Sequence, residues 1–390
     1  MIRVKQHAAE LKEVARTALA CGAVALAVGL SGCATGQAAH PSVEIAMVRT
    51  KVSGVTSNVS KFAYDYPIGI SALGDFTSNA SCTLDTMICG RDPKNGKVLK
   101  IAPVSTTELV GYAGIRSLDV SSEYAPNNKN APTRYTKTGA RGISLQENFS
   151  FSFAARGITH NYWIQNTAVF DTANNTYYLE TGFFTLRGAD RTIVSRQFYS
   201  TKSMHYDLPD DLYLISRTYE SKRGPKVSLQ YKMGNGKLVT YANITFDYKP
   251  SDRPSFIAGI PAKGQVDRAD LVFAGSGSGM VALVSSINAQ LGFYYYDGSR
   301  FVPFSAFESY APDIYGQSRW VQKYSSVVKK GTKIVHENGG VSTAEEVSGA
   351  KVSVENDGYA QVTTGNNGNG AVYFGFRPPV PEGVLELLRK

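Results

Sequence analysis

Between about residues 62 and 328, apolar and polar positions alternate in short runs broken by turn residues. "NYWIQNTAVF" is followed by "DTANNT" and "YYLETGFFTL", and "KVSLQYKM" by "GNG" and "KLVTYANITF". A period of two bounded by Asn, Asp and Gly marks β-hairpins. Hairpins in succession with no long helical periodicity between them predict an all-β fold, an antiparallel β-sandwich of hairpins rather than a doubly wound sheet. From 329 to 390 the chain carries further short strands, "AKVSVEN", "YAQVTT" and "AVYFGF", separated by "NDG" and "GNNGNG". The pattern leaves open whether this C-terminal β extension is a small domain of its own or completes the main one.

One hairpin can be read to the residue. A turn centred on Ala173 and Asn174 makes the numbers of facing residues sum to 347, so Val169 opposes Tyr178 and Thr167 opposes Glu180. Gln165 then shares a face with Glu180 as a diagonal neighbour, with about 7–8 Å between α-carbons. A slip of one residue would send Glu180 to the other face.

Composition agrees with this picture: of 390 residues 43% are hydrophobic and 11% aromatic, enough for packed cores. The amino terminus differs. Arg3, Lys5, Lys12 and Arg16 precede the small-apolar run Thr17 to Leu30, and then comes "LSGC". This reads as a signal peptide over residues 1–32, too short to remain as a membrane-spanning helix. Leu30-Ser31-Gly32-Cys33 resembles the bacterial lipobox, in which the cysteine becomes diacylated. That resemblance implies a protein anchored by lipid in the cell envelope, and Ala34 after Cys33 suggests the outer membrane. Residues 33–60 read as a tether, and residues 61–328 as the folded body. Once Cys21 leaves with the signal and Cys33 carries lipid, Cys82 and Cys89 remain, and in an oxidising envelope a disulfide between them is the natural expectation. No His stands within that loop, and neither a zinc motif nor any other metal-ligand pattern is present.

The net charge of +9 is partly the basic signal segment. The other Lys and Arg are dispersed, and no nucleic-acid motif accompanies them.

"LVFAGSGSG", Leu271 to Gly279, invites two readings that fail. A phosphate loop needs a following Gly-Lys-Ser/Thr, and a nucleophile elbow needs Ser at the centre, where Gly277 stands. With its neighbours, however, the stretch Ala269 to Phe304 resembles the thermopsin family of acid peptidases. "YPIGISALG" (Tyr66 to Gly74), "TTELVGYAGIRSLDV" (Thr106 to Val120) and "SLQENFSF…YWIQNTAVFD…YYLETGFF" are similar to further motifs of that family, in the same order. The resemblance runs over about residues 62 to 328. It implies an acid endopeptidase acting on proteins or peptides with carboxylates and no cofactor.

The pepsin-type Asp-Ser/Thr-Gly loops are absent, so the carboxylates must be sought elsewhere. Glu180 beside Gln165 is one candidate, the carboxyl group serving as base and then acid while the amide steadies the developing oxyanion. Asp270, at the start of the family-like strand, and Glu147, in "SLQEN", are others, with Asp313 behind them. Trp163 and Tyr178 are candidates to line a cleft for an extended substrate. Ala72 stands where the family's opening motif is expected to carry Asp. That departure sustains a second reading, a non-catalytic binding or structural lipoprotein on the same β-sandwich.

Overall fold

The computed structural model describes residues 43–47, 54–57, 68–77, 89–91, 98–126, 135–187, 192–259, 269–277, 280–310, 333–335, 341–343, 350–354, 359–364, 372–374 and 378–389. Two large sheets carry the fold. Along the first, neighbouring strands are Val43–Met47, Val239–Phe246, Gly224–Met233, Asp210–Ser221, Glu108–Pro126, Val281–Tyr296, Ala360–Thr364 and Ala350–Val354. Along the second they are Gly54–Ser57, Thr192–Ser200, Thr176–Arg187, Ile158–Asp171, Gly142–Ala155, Ala269–Ala274, Ile68–Thr77, Ala306–Tyr310 and Val372–Phe374. All these neighbours pair antiparallel. The protein is the all-β sandwich that its period-two pattern predicts.

The sheets meet through their inner faces. Phe149, Phe151 and Phe153 project from one strand of the second sheet, and Leu212, Leu214, Ile244 and Phe246 answer from the first, all essentially without solvent contact. The Phe151 and Phe246 rings stand 5.0 Å apart across the interface. Burial of such side chains, at about 25 cal/mol per Å² of apolar surface, is what holds two sheets together. Ala72 belongs to this core, with 0% of its surface exposed.

The segment expected to be a tether contributes Val43–Met47 and Gly54–Ser57 to one edge of each sheet. Strands beyond residue 329 add to the opposite edges, so the C-terminal extension completes the sandwich. Its last turn, Glu382–Leu385 with Glu386–Arg389, lies over the outer face of the first sheet. There Val384 and Leu387 are buried beside Tyr112, Tyr213 and Tyr294, and the Tyr294 hydroxyl donates to the Pro379 carbonyl at 2.8 Å. The first sheet is thus covered on both faces by apolar contacts. The second sheet has an outer face of another kind.

Residues 1–33, including the signal segment and Cys33, lie outside the described residues, as do Cys82 and Asp313, while Cys89 opens the Cys89–Arg91 strand. No helix among the described residues is long and apolar enough to cross a membrane.

Candidate functional site

The Gly142–Ala155 strand alternates Ile143, Leu145, Glu147, Phe149, Phe151 and Phe153 with Ser144, Gln146, Asn148, Ser150 and Ser152. The first set turns inward to the sandwich core and the second lines the outer face, as strand geometry requires. The neighbouring hairpin has the register that its turn chemistry predicts, Thr167 facing Glu180 and Val169 facing Tyr178. Asp171 fixes the turn by accepting from the Ala173 amide at 3.0 Å and from Asn174 Nδ2 at 2.7 Å.

From this register follows the disposition of the candidates. Gln165, Glu180, Trp163 and Tyr178 all occupy the outer face of the second sheet. Asp270 joins them, because it faces Asn148, which itself faces Gln165. Gly182 completes that row on the far side of Gln165. Glu180 stands in the next row, beyond Thr167 and Gln146. Two whole strands separate Asp270 from Glu180, and at about 4.8 Å per strand plus a two-residue offset their α-carbons are roughly 15–16 Å apart. These two carboxylates do not share one water.

Polar side chains on an outer face are ordinarily solvated, yet here Ser144, Gln146, Asn148, Gln165 and Thr167 are each no more than 9% exposed. They meet burial by bonding one another. Gln165 Nε2 donates to Gln146 Oε1 at 2.9 Å, Asn148 Nδ2 donates to the same oxygen at 3.2 Å, and Gln146 Nε2 donates to Ser144 Oγ at 2.8 Å. The Gln165 oxygen lies over Gly182. Glu180, partly buried beside this line, has its carboxyl pushed up to about 7 by loss of solvent, so it is protonated in acid. In the next row on this face, on the side of Gln165 away from Glu180, the Trp163 and Phe184 rings stand 4.9 Å apart, with Phe198 5.6 Å from Phe184.

Glu147 is a correction to the expected grouping. It turns inward, is fully buried, and bridges the two sheets: its Oε1 accepts from the Gly111 amide at 3.2 Å, and its Oε2 from Ser216 Oγ at 2.6 Å and Asn166 Nδ2 at 3.1 Å. Burial pushes its carboxyl up to about 8, the three donors opposing the shift only in part. Asn166 Oδ1 accepts from the Tyr241 hydroxyl at 2.8 Å. Tyr241 reaches so far because it is the extra residue of a bulge, Leu229 pairing with Ala242 and Gln230 with Thr240.

The glycine-rich stretch has a structural task. The Gly275 carbonyl accepts from Ser144 Oγ at 2.9 Å, ending the line of amides. Ser276 donates its amide at 2.8 Å and its hydroxyl at 2.6 Å to Glu123, a buried carboxyl pushed up to about 6 chiefly by burial. Glycine at 275 is obligatory there, since a β-carbon would come within 2.1 Å of the Met280 carbonyl oxygen.

Ser144, Gln146, Asn148, Gly182 and Glu123 were not among the candidates of the sequence. The first three had a visible signal, polar residues at every second position of "ISLQENFSFSF". Gly182 and Glu123 owe their place to long-range packing.

Compared with known families, the chain matches Thermopsin over residues 90–183 and 186–314. That is more than half of its length, and the chain belongs to the thermopsin family. Membership supports a peptidase, a hydrolase with proteins or peptides as substrates. No curated protein matches it significantly.

Proposed function

We propose that this member of the thermopsin family is an acid endopeptidase that hydrolyses extended peptide segments on the outer face of its second sheet, and that lipid on Cys33 anchors it in the bacterial cell envelope. The observation that carries the reading is the shared face: Gln165, Glu180, Trp163 and Tyr178 from one hairpin and Asp270 from a third strand, around a carboxyl group that stays protonated up to about pH 7.

A neutral carboxyl group can move protons in both directions at once. The Glu180 hydroxyl donates to the scissile carbonyl oxygen while its other oxygen takes a proton from the attacking water. A C–O bond forms, the carbonyl becomes a neutral gem-diol, and the carboxylic acid is regenerated. In the second step the same group protonates the leaving nitrogen as the C–N bond breaks, and recovers a proton from one hydroxyl of the diol. Gln165 turns its oxygen, not its NH₂, toward the Thr176–Arg187 strand. Its assigned role is therefore to hold the attacking water as an acceptor, in place of the oxyanion donor expected of it. Asp270, too distant for that water, is assigned to substrate binding. Trp163 and Tyr178 stand about 20 Å apart on this face, on either side of Gln165 and Glu180.

The binding-lipoprotein alternative drew on Ala72. That position is in the core on the face away from Asp270, so a missing carboxylate there takes nothing from this site.

The test is digestion of an unfolded protein by residues 34–390 across pH 2 to 8, beside Glu180→Gln and Asp270→Asn. Cleavage in the acid range that disappears in Glu180→Gln is the expected result. A folded wild-type protein that cuts nothing at any pH overturns the reading.

A further inference from the structure

Ser144 determines the direction of every amide in the line. Its hydroxyl has the Gly275 carbonyl at 2.9 Å and the Ala274 carbonyl at 3.3 Å. Carbonyl oxygens only accept, so the Ser144 proton goes to them and its oxygen is left to receive. Gln146 must turn its NH₂ toward Ser144 and its Oε1 the other way. That oxygen takes the NH₂ groups of both Asn148 and Gln165. Each of those amides consequently turns its own oxygen away from Gln146. The Gln165 oxygen goes over Gly182. Asn148 Oδ1 is buried, in a residue only 4% exposed, and accepts no hydrogen bond among the described residues.

A buried acceptor without a donor costs about 1–3 kcal/mol. Such a cost is understandable where a ligand brings the donor, and a peptide brings one N–H per residue. We propose that Asn148 is a substrate-binding residue whose Oδ1 receives a main-chain N–H of the bound peptide, with Ser144 and Gln146 as the positioning residues that fix its orientation. Asn148 lies two strands and one residue pair from Glu180, about 12 Å, so the N–H it receives belongs about three residues from the scissile bond of an extended chain. The contact reads the backbone and not a side chain, and it demands an extended segment at that position. The inference rests on the peptidase reading of the same face.

Its test is a set of peptides in which one backbone amide at a time is replaced by an ester, which removes the N–H and keeps the shape. For the wild-type protein, one position about three residues from the cleavage point should lose about tenfold in kcat/KM, mostly through KM. In Asn148→Leu the amide substrate should be cleaved with raised KM, and the ester at that position should bring no further loss, while ester effects elsewhere persist. Ser144→Ala, which leaves Asn148 in place but frees the direction of its amide, should shrink the same single penalty. If the ester penalty survives in Asn148→Leu, or no position shows one, the inference is wrong while the peptidase reading stands. If the wild type cleaves nothing, the peptidase reading fails. The same amide and ester pair labelled with a fluorophore then judges the acceptor by binding alone: a loss of affinity confined to one position and absent from Asn148→Leu supports it, and equal binding of both peptides overturns it.

Discussion

The side-chain oxygen of Gln165 occupies the space in which residue 182 would carry a side chain: a β-carbon on Gly182 would stand 2.4 Å from it. Glycine at 182 is therefore a condition for the placement of Gln165 and answers no need of the backbone. Gly182→Ala should fold, since its closest neighbour is the end of a flexible side chain and the Phe184 and Phe198 rings, 3.0 and 3.1 Å from the added β-carbon, need give only a few tenths of an ångström, but it must displace the Gln165 amide. A misplacement of about 1 Å in a reacting arrangement costs on the order of a hundredfold in rate. Peptide cleavage by Gly182→Ala should fall by about that factor in kcat with the melting temperature nearly kept. Undiminished cleavage would separate Gln165 from the chemistry.

Glu180 sets the upper pH limit of the proposed reaction. Its carboxyl is raised from the ordinary 4.5 to about 7 by burial, and the mechanism needs the protonated form. Activity should be full in acid and decline about tenfold per unit above pH 7. The profile of kcat/KM against pH checks this directly. A rate that rises through pH 7 would mean that Glu180 works as a carboxylate, or not at all.

The architecture and this face were legible in the sequence because strands advertise both of their sides. Alternation in "YWIQNTAVF" and "YYLETGFF" gave the hairpin, and the Asp171 to Asn175 turn gave the pairing of Thr167 with Glu180 that the structure contains. The side of Glu147 was equally legible, since its neighbours at two-residue intervals are Leu145 and Phe149. What could not be read was its company. Ser216, Gly111 and Tyr241 come from three strands of the opposite sheet, and Tyr241 enters only through a bulge. The separation of Asp270 from Glu180 was hidden for the same reason, because strand order across a sheet is set by packing and leaves no mark on local periodicity.

Anchoring can be tested apart from chemistry. If Cys33 carries the lipid, the full chain expressed in a Gram-negative bacterium should sediment with membranes and take up radiolabelled palmitate. Cys33→Ser should do neither, and should keep whatever peptidase activity the soluble form has. Palmitate incorporation that persists in Cys33→Ser would refute the lipobox reading.

Glu147 makes a prediction about stability. The group is fully buried and its carboxyl is raised from 4.5 to about 8, with burial the leading cause. In the unfolded chain it ionises near 4.5, so the unfolded state holds fewer protons than the folded one throughout the interval between. Stability is then complete below about pH 4.5 and is lost as pH rises toward 8, at about 1.4 kcal/mol per unit, on the order of 5 kcal/mol in all from this residue. Glu180, raised to about 7, and Glu123, raised to about 6, act in the same direction over narrower windows. Denaturant melts at pH 5 and pH 8 should differ by several kcal/mol in favour of acid, the reverse of a protein held by salt-bridged carboxylates. Glu147→Gln keeps the shape, offers an NH₂ to Ser216 and has nothing to ionise, so about half of that difference should vanish and the remainder, from Glu180 and Glu123, should persist. Equal stability at the two pH values in the wild type would show that the bridge between the sheets tolerates a charged carboxylate, and that its three donors outweigh the loss of water.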